Sequence, residues 1–384
     1  MSLPARADAV IVGAGCIGAS IAYHLARHGV KALVLEREKI AGNGSTGHCA
    51  GGVRQQFTTP VNVALSKISI EAFARMNEEL TYEGELYWPV GYLFCVPDQA
   101  RWTRFQANAA AQRALGVPVE ELTPEEVARR WPLLATGDLV GATFCASDGL
   151  ADPHGVTAAY FAAAKRLGAA FEFETDVTGV RVAEGRVQGV VTSRGDVQSP
   201  VVINAAGPYA AEVGRMAGIE LPVAPLRRQI FTTQPADWVP ANFPMVVDVG
   251  TGVYMHKESG GLLLGLADLE EPPSFHTHID LDFRDRVFML AFERLPKLED
   301  AAYRAGWGGL YEDTPDHNAI LGETPTVRGF WLANGFSGHG FMHSPAVGMV
   351  VADLVTGRPP RADVSALALD RFERSALVAE ANVI

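Results

Sequence analysis

Three glycines within six residues, Gly13-Ala14-Gly15-Cys16-Ile17-Gly18, carry the first chemistry legible in this chain. Gly13 permits a tight turn, Gly15 removes a side chain where an anion must approach the backbone, and Gly18 lets a helix pack closely on a strand. An acid, Glu36, stands further on. A carboxylate at that spacing accepts hydrogen bonds from a ribose diol and disfavours a 2′-phosphate. The flanking elements suit these residues. Asp8 to Val12 reads as a short apolar strand, and residues 19–28 carry apolar positions at helical spacing. Gly29 stops that helix, and Lys31 to Leu35 forms a second strand that ends at Glu36. Together they make a cradle for a dinucleotide pyrophosphate, which would meet free N–H groups and the positive dipole end of a helix. The motif alone does not separate FAD from NAD.

The rest of the chain favours FAD. A protein using NAD through this loop would continue with regular βα units. Here residues 42–54 are polar and glycine-rich, suited to running along a long cofactor at close backbone approach. Val201 to Ala206 reads as another buried strand ending in Gly207-Pro208, a glycine turn at the strand end where open α/β sheets bind ligands. Near the C-terminus, Gly329 to Ala333 is a strand. Asn334 to Phe341 then turns into a helix expected over Ser344 to Thr356. That helix N-terminus is a second anion site, and reduction of a flavin places negative charge on the N1/O2 side of its ring.

Bulk properties exclude several classes. The 384 residues are 48% hydrophobic and 20% charged, an ordinary globular balance with room for two domains. The net charge of −12 argues against nucleic acid or an anionic membrane as partner. The four cysteines form no CxxC pair, so neither a zinc site nor a disulfide framework is expected. His276-Thr277-His278 would put two rings on one face of a strand, yet no third ligand is near in sequence, and no metal is expected. No transmembrane span and no signal peptide are legible, which makes a soluble cytoplasmic protein the default expectation.

The chain resembles the D-amino-acid oxidase superfamily of flavoproteins, which includes glycine oxidase, sarcosine oxidase and the beta subunits of heterotetrameric sarcosine oxidase and L-proline dehydrogenase. The resemblance rests on VIVGAGCIGASIAYHLA with Glu36-Arg37, Gly51-Gly52-Val53-Arg54, Asp148-Gly149 with Asp152-Pro153, INAAGPYA, Pro225 to Gln229, Tyr311 to Asn318 and NGFSGHGFMHSPAVG. These pieces span nearly the whole chain. The resemblance implies an α/β (α+β) fold with a discontinuous Rossmann-like FAD-binding domain over 1–85, 146–224 and 323–384. A second, antiparallel-sheet substrate domain is implied over 86–145 and 225–322. Pro118 to Pro132 suits it, with a capping box expected from Thr123 to Glu126. The resemblance also implies FAD contacts at Gly13, Gly15, Ile17, Gly18, Glu36, Arg37, Ser45, Thr46, Gly52, Val177, Ala205, Ala206, Gly207, Gly309, Gly335, Ser337, Gly338, His339, Gly340 and Phe341.

The implied reaction is oxidation of the C–N bond of a small secondary, N-methyl or imino amino acid by hydride transfer to flavin N5. Such chemistry asks the protein for positioning and electrostatics, and the substrate carboxylate for an arginine fork. Arg54 is the first candidate for a flavin or carboxylate role and Arg228 the second. Tyr254 is expected on a pocket strand, and His339 to shape its loop or bond the flavin. Three departures from the sarcosine oxidase pattern matter. Gly309 stands where a cysteine bonds the flavin, so FAD is expected to be non-covalent. The strand Gly261 to Gly265 offers leucine where a lysine speeds reaction with oxygen, and Met342 replaces a carboxylate-binding lysine. These tilt the expectation from oxidase toward dehydrogenase. The alternatives are the beta subunit of a heterotetramer and a non-catalytic flavoprotein serving assembly. Further copies or different subunits are the expected macromolecular partners.

Overall fold

The computed structural model describes residues 3–374 and 377–382. Its organising feature is a six-stranded sheet in the order Ile320–Glu323, Phe330–Asn334, Val202–Asn204, Ala9–Val12, Ala32–Leu35, Ala170–Glu172. All neighbours are parallel except the edge pair formed by Ile320–Glu323 and Phe330–Asn334. The strands are apolar runs because both faces are covered. Ala9, Ile11, Val34 and Ile203 face a core shared with the helices Cys16–Arg27, Pro60–Leu80, Pro153–Arg166 and Gly340–Val355. Val10, Val12, Leu33, Leu35 and Val202 face the other way, into a core closed by a three-stranded antiparallel sheet over Val177–Ala183, Arg186–Thr192 and Gly195–Gln198.

From Ala9–Val12 the chain moves outward on one side to Ala32–Leu35, then later returns to the other side at Val202–Asn204. Strand order therefore reverses at the first strand, and a crevice opens there, outside the strands' C-terminal ends. Gly13 and Ala205 meet at its base. Gly13 has φ +106, and a Cβ on it would fall 2.5 Å from the Ala205 carbonyl oxygen.

The second large sheet has eight strands in the order Tyr303–Asp313, Ala224–Thr233, Gly261–Leu266, Tyr254–Glu258, Met245–Asp248, Tyr92–Val96, Gly141–Cys145, Val119–Leu122. The expectation of an antiparallel sheet needs one correction. Met245–Asp248 and Tyr92–Val96 pair in parallel, at the point where two distant parts of the chain are joined. One face packs on the helix Leu281–Arg294 around Phe231, Met255, Leu262, Leu264, Phe283 and Val287. The other face turns Tyr92, Ile230, Met245 and Tyr254 toward the crevice, with Phe94 packed among them. The Thr123–Glu126 capping box is present, each side chain bonding the other's backbone N–H.

The C-terminal helix departs from expectation. It begins at Gly340 and holds Pro345 in its interior. Pro345 lacks an N–H, so the first turn forgoes a bond to the Phe341 carbonyl, a tolerable loss near a helix start. His276 and His278 lie in an exposed irregular segment rather than on a strand, with ring centroids 5.7 Å apart.

Candidate active site

A cavity of about 440 Å³ runs between the two large sheets. At one end it is walled by Leu35, Glu36, Arg37, Val177 and Tyr209. The Arg37 guanidinium lies 3.6 Å from the centre of the Tyr209 ring, and that ring stacks on Phe275 at 4.5 Å. Glu36 is fixed by the glycine loop: one carboxylate oxygen accepts the Ala14 N–H at 2.7 Å and the other the Glu38 N–H at 2.9 Å. Each oxygen keeps a second lone pair, the capacity a ribose diol requires.

The middle is the helix cradle. Gly13, Gly15, Cys16 and Ile17 line it, and Gly15 at the N-cap of the helix Cys16–Arg27 has no side chain to cap it. The N–H groups of that first turn beyond Cys16 suit a pyrophosphate. Thr46 stitches the polar loop to this helix, its Oγ1 accepting the Cys16 N–H at 3.1 Å. Ser45 donates to the Leu310 carbonyl at 2.6 Å, which ties the same loop to the second sheet.

The far end combines the second helix start with the substrate-side strands. Gly338, His339, Gly340, Phe341 and Met342 line it, and again the helix has no side-chain cap. Opposite stand Tyr92, Tyr254 and Tyr311. Gly265, the cross-strand partner of Tyr254, makes room for its ring, since a Cβ there would overlap the phenol. A Cβ on Gly338 would sit 2.5 Å from the Tyr311 ring. Burial pushes the Tyr254 and Tyr311 phenols above their ordinary range, so their hydroxyls stay protonated and can donate.

Two arginines enter this end. Four arginines are buried among the described residues: Arg54, Arg227, Arg294 and Arg371. Arg227 pairs with Glu271, Arg294 with Asp138 and Asp248, and Arg371 with Asp316. Arg54, 1% exposed, has no ion pair among the described residues. Its amino groups donate to the carbonyls of Gln56, at 2.7 Å, and Asn382, its Nε has no partner, and it lies over the Phe57 ring. Half-buried Arg228 also has no ion pair among the described residues. One amino group donates to the Arg227 carbonyl at 3.0 Å, its Nε has no partner, and it sits 5.1 Å from the Tyr311 ring centre. Burial and the charge of Arg54 hold His339 well below the usual histidine range, so the ring is neutral and its Nε2 has no partner.

The structure thus gathers Arg54, Arg228, Tyr254 and His339 at one end of one cavity. It also brings Gly13, Gly15, Ile17, Glu36, Arg37, Ser45, Thr46, Gly52, Val177, Ala205, Ala206, Gly207, Gly309, Gly338, Gly340 and Phe341 to its walls. Gly18, Gly335 and Ser337 are not on the walls. A Cβ on Gly18 would overlap the Gly13 carbonyl oxygen, so its role is close helix–loop packing. A Cβ on Gly335 would overlap Thr314, and Ser337, at φ +49, accepts the Thr314 N–H at 3.2 Å. Both shape the turn from behind. Sequence reasoning missed Tyr92, Tyr311, Glu312 and Cys49 on the walls. The signals were Tyr311-Glu312 within a quoted motif and Cys49 within the glycine-rich stretch 42–54 expected along the cofactor. Burial raises the Glu312 carboxyl to about 7 even though it accepts the Gly335 N–H at 3.0 Å. Burial likewise holds Cys49 as a thiol, pushed up to about 12.

The sequence matches the family model for FAD dependent oxidoreductase, abbreviated DAO, over residues 8–354. The chain belongs to that family, and its cofactor is FAD. The helix cradle, the glycine at the strand crossing and the orphaned Arg54 and His339 nitrogens fit that cofactor. The chain is similar to the FAD-dependent oxidoreductase domain-containing protein 1 of Xenopus laevis, at 31% identity over 99% of this chain and 85% of the relative. It is similar at 31% to the mitochondrial sarcosine dehydrogenase of Mus musculus, over 97% of this chain and 42% of that protein, so it spans less than half of that relative. Among solved structures, L-proline dehydrogenase from P. horikoshii superposes with a TM-score of 0.92 at 32% identity, covering 97% of this chain and 99% of that one. Glycine oxidase from Geobacillus kaustophilus gives 0.87 at 28%, covering 96% and 99%. No helix among the described residues is long and apolar enough to cross a membrane.

Proposed function

We propose that this enzyme oxidises the C–N bond of a small secondary, N-methyl or imino amino acid and passes the electrons to an acceptor other than oxygen. The observation that carries the reading is that Arg54 and Arg228, with no ion pair among the described residues, face one tyrosine-lined end of the cavity. Relatives named as sarcosine, dimethylglycine and L-proline dehydrogenases support the substrate class. FAD, when bound, supplies the hydride acceptor.

The chain's own residues do the rest. Gly13, Gly15 and Ile17, with Glu36, hold the nucleotide part; the turn from Gly338 to Phe341 presents a second uncapped helix start to the flavin. Arg228 is the carboxylate receptor. It is half-buried where Arg54 is 1% exposed, and both its bonds, to the Arg227 and Asp268 carbonyls, use one amino group, whereas Arg54 bonds a backbone carbonyl through each of its own. The order of the two candidates is thereby reversed, and Arg54 serves as a fixed positive charge. Tyr92, Tyr254 and Tyr311 exclude water and offer hydroxyl donors. No lysine lines the cavity among the described residues, which favours a dehydrogenase over an oxidase.

The test is anaerobic turnover with an artificial dye acceptor across sarcosine, dimethylglycine, L-proline, glycine and D-alanine, each beside its carboxamide. One free acid reduces the dye and its carboxamide does not. Dye reduction by none of them would remove the amine reading in favour of a non-catalytic flavoprotein; equal reduction by the carboxamides would remove Arg228 as receptor.

A further inference from the structure

A second cavity, of about 220 Å³, lies at the opposite ends of the helices that start at the FAD site. His24, Arg27 and His28 come from the last turn of Cys16–Arg27 and the residue after it. Met349 and Asp353 come from Gly340–Val355, and Arg358 and Arg361 from the segment that follows. Three guanidiniums and two imidazoles face a single carboxylate, in a protein whose net charge is −12.

The polar groups inside are not satisfied by one another. His24 is 4% exposed and its Nε2 has no hydrogen-bond partner among the described residues. His28 places Nε2 3.3 Å from Asp353, while its Nδ1 is also buried without a partner. Buried ring nitrogens are ordinarily paired, and these two leave hydrogen-bonding capacity on one cavity wall among the described residues. Arg27, Arg358 and Arg361 are in no ion pair among the described residues. Arginines near helix C-termini also complement the helix dipoles. That role explains one cation per helix end, and not three converging with two orphaned imidazoles.

We infer that this cavity binds a phosphate-type oxyanion through Arg27, Arg358 and Arg361, with His24 and His28 at its base. Guanidiniums from three separate positions surround a tetrahedral anion, whereas a flat carboxylate engages one fork in one plane. The ligand is either inorganic phosphate or the phosphate group of a small phosphomonoester. The site is separate from the FAD cavity, with which it shares no lining residue. It does not rest on the proposed reaction.

The test uses the FAD-loaded protein and isothermal titration with inorganic phosphate and, separately, with glucose 6-phosphate at constant ionic strength. Inorganic phosphate should bind with a Kd of about 1 mM or tighter. Arg358→Ala with Arg361→Ala, both at exposed positions, should weaken it at least about tenfold. Arg304→Ala, an exposed arginine elsewhere, should leave it unchanged. Histidine side-chain NMR signals should shift on saturation and be lost from the titration in His24→Phe. Tighter binding of glucose 6-phosphate would assign the site to a phosphomonoester, and weaker binding to inorganic phosphate. Binding of neither, or binding indifferent to the paired arginine change, would overturn the inference.

Discussion

Replacing Arg228 by lysine keeps one positive charge at the same end of the cavity and removes the planar fork. In the native structure one amino group is spent on the Arg227 carbonyl, leaving Nε and the other amino group to meet a carboxylate. A bidentate contact becomes at best a single one. A hydrogen bond to a charged group is worth about 1.5–3 kcal/mol, which converts to a rise of about 10- to 150-fold in substrate Kd. The contact is the same in ground and transition states, so the limiting rate of flavin reduction should change by less than about threefold. Anaerobic stopped-flow measurement of flavin bleaching against substrate concentration separates the two quantities. A Kd within about threefold of wild type, or a loss confined to the limiting rate, would refute Arg228 as the carboxylate receptor.

Other consequences follow from the same geometry. Gly13→Ala places a methyl 2.5 Å from the Ala205 carbonyl oxygen at φ +106. The strain is about 1–3 kcal/mol, and the purified variant should hold less than half the wild-type FAD per chain by absorbance; full occupancy would contradict it. Glu312 ionises near 7 when folded against an ordinary 4.5, so between those values the folded state holds a proton the unfolded chain lacks. Its contribution to stability is present below 4.5 and is lost as pH rises through 7, by about 3 kcal/mol over the full range. Glu312→Gln should therefore gain stability relative to wild type between pH 5 and 7.5 in chemical denaturation, and a constant difference would count against it. A Cβ on Gly309 would lie 2.8 Å from His48 Cβ, so the backbone leaves no room there for a bonded cysteine. Trichloroacetic acid should release all the flavin to the supernatant; flavin kept in the pellet would point to His48 or Cys49, both on the wall.

What the sequence revealed was what local spacing controls. The cradle was legible because Gly13, Gly15, Gly18 and Glu36 lie within one strand–helix–strand unit, where turn, close approach and packing each restrict the residue type. Arg228 and Tyr254 were found through motif resemblance, yet their facing each other's end of the cavity depends on strand register. Arg228 sits opposite Gly309 and Tyr254 opposite Gly265 only because distant strands pair in that alignment. Tyr92 and Glu312 were missed for the same reason, since alternation along a strand does not say which sheet face meets the cofactor. The parallel join of Met245–Asp248 to Tyr92–Val96 has no local signal at all. The start of the last helix was misplaced because the glycines of Asn334 to Phe341 read as a turn, whereas Gly340 to Ser344 are already helical.

The most direct test of the account is an anaerobic visible spectrum of the purified protein before and after addition of sarcosine, dimethylglycine, L-proline, glycine and D-alanine in turn. The account predicts a flavin spectrum that bleaches with at least one of them and recovers only slowly when air is readmitted. A flavin that dithionite bleaches and no amino acid does would contradict it.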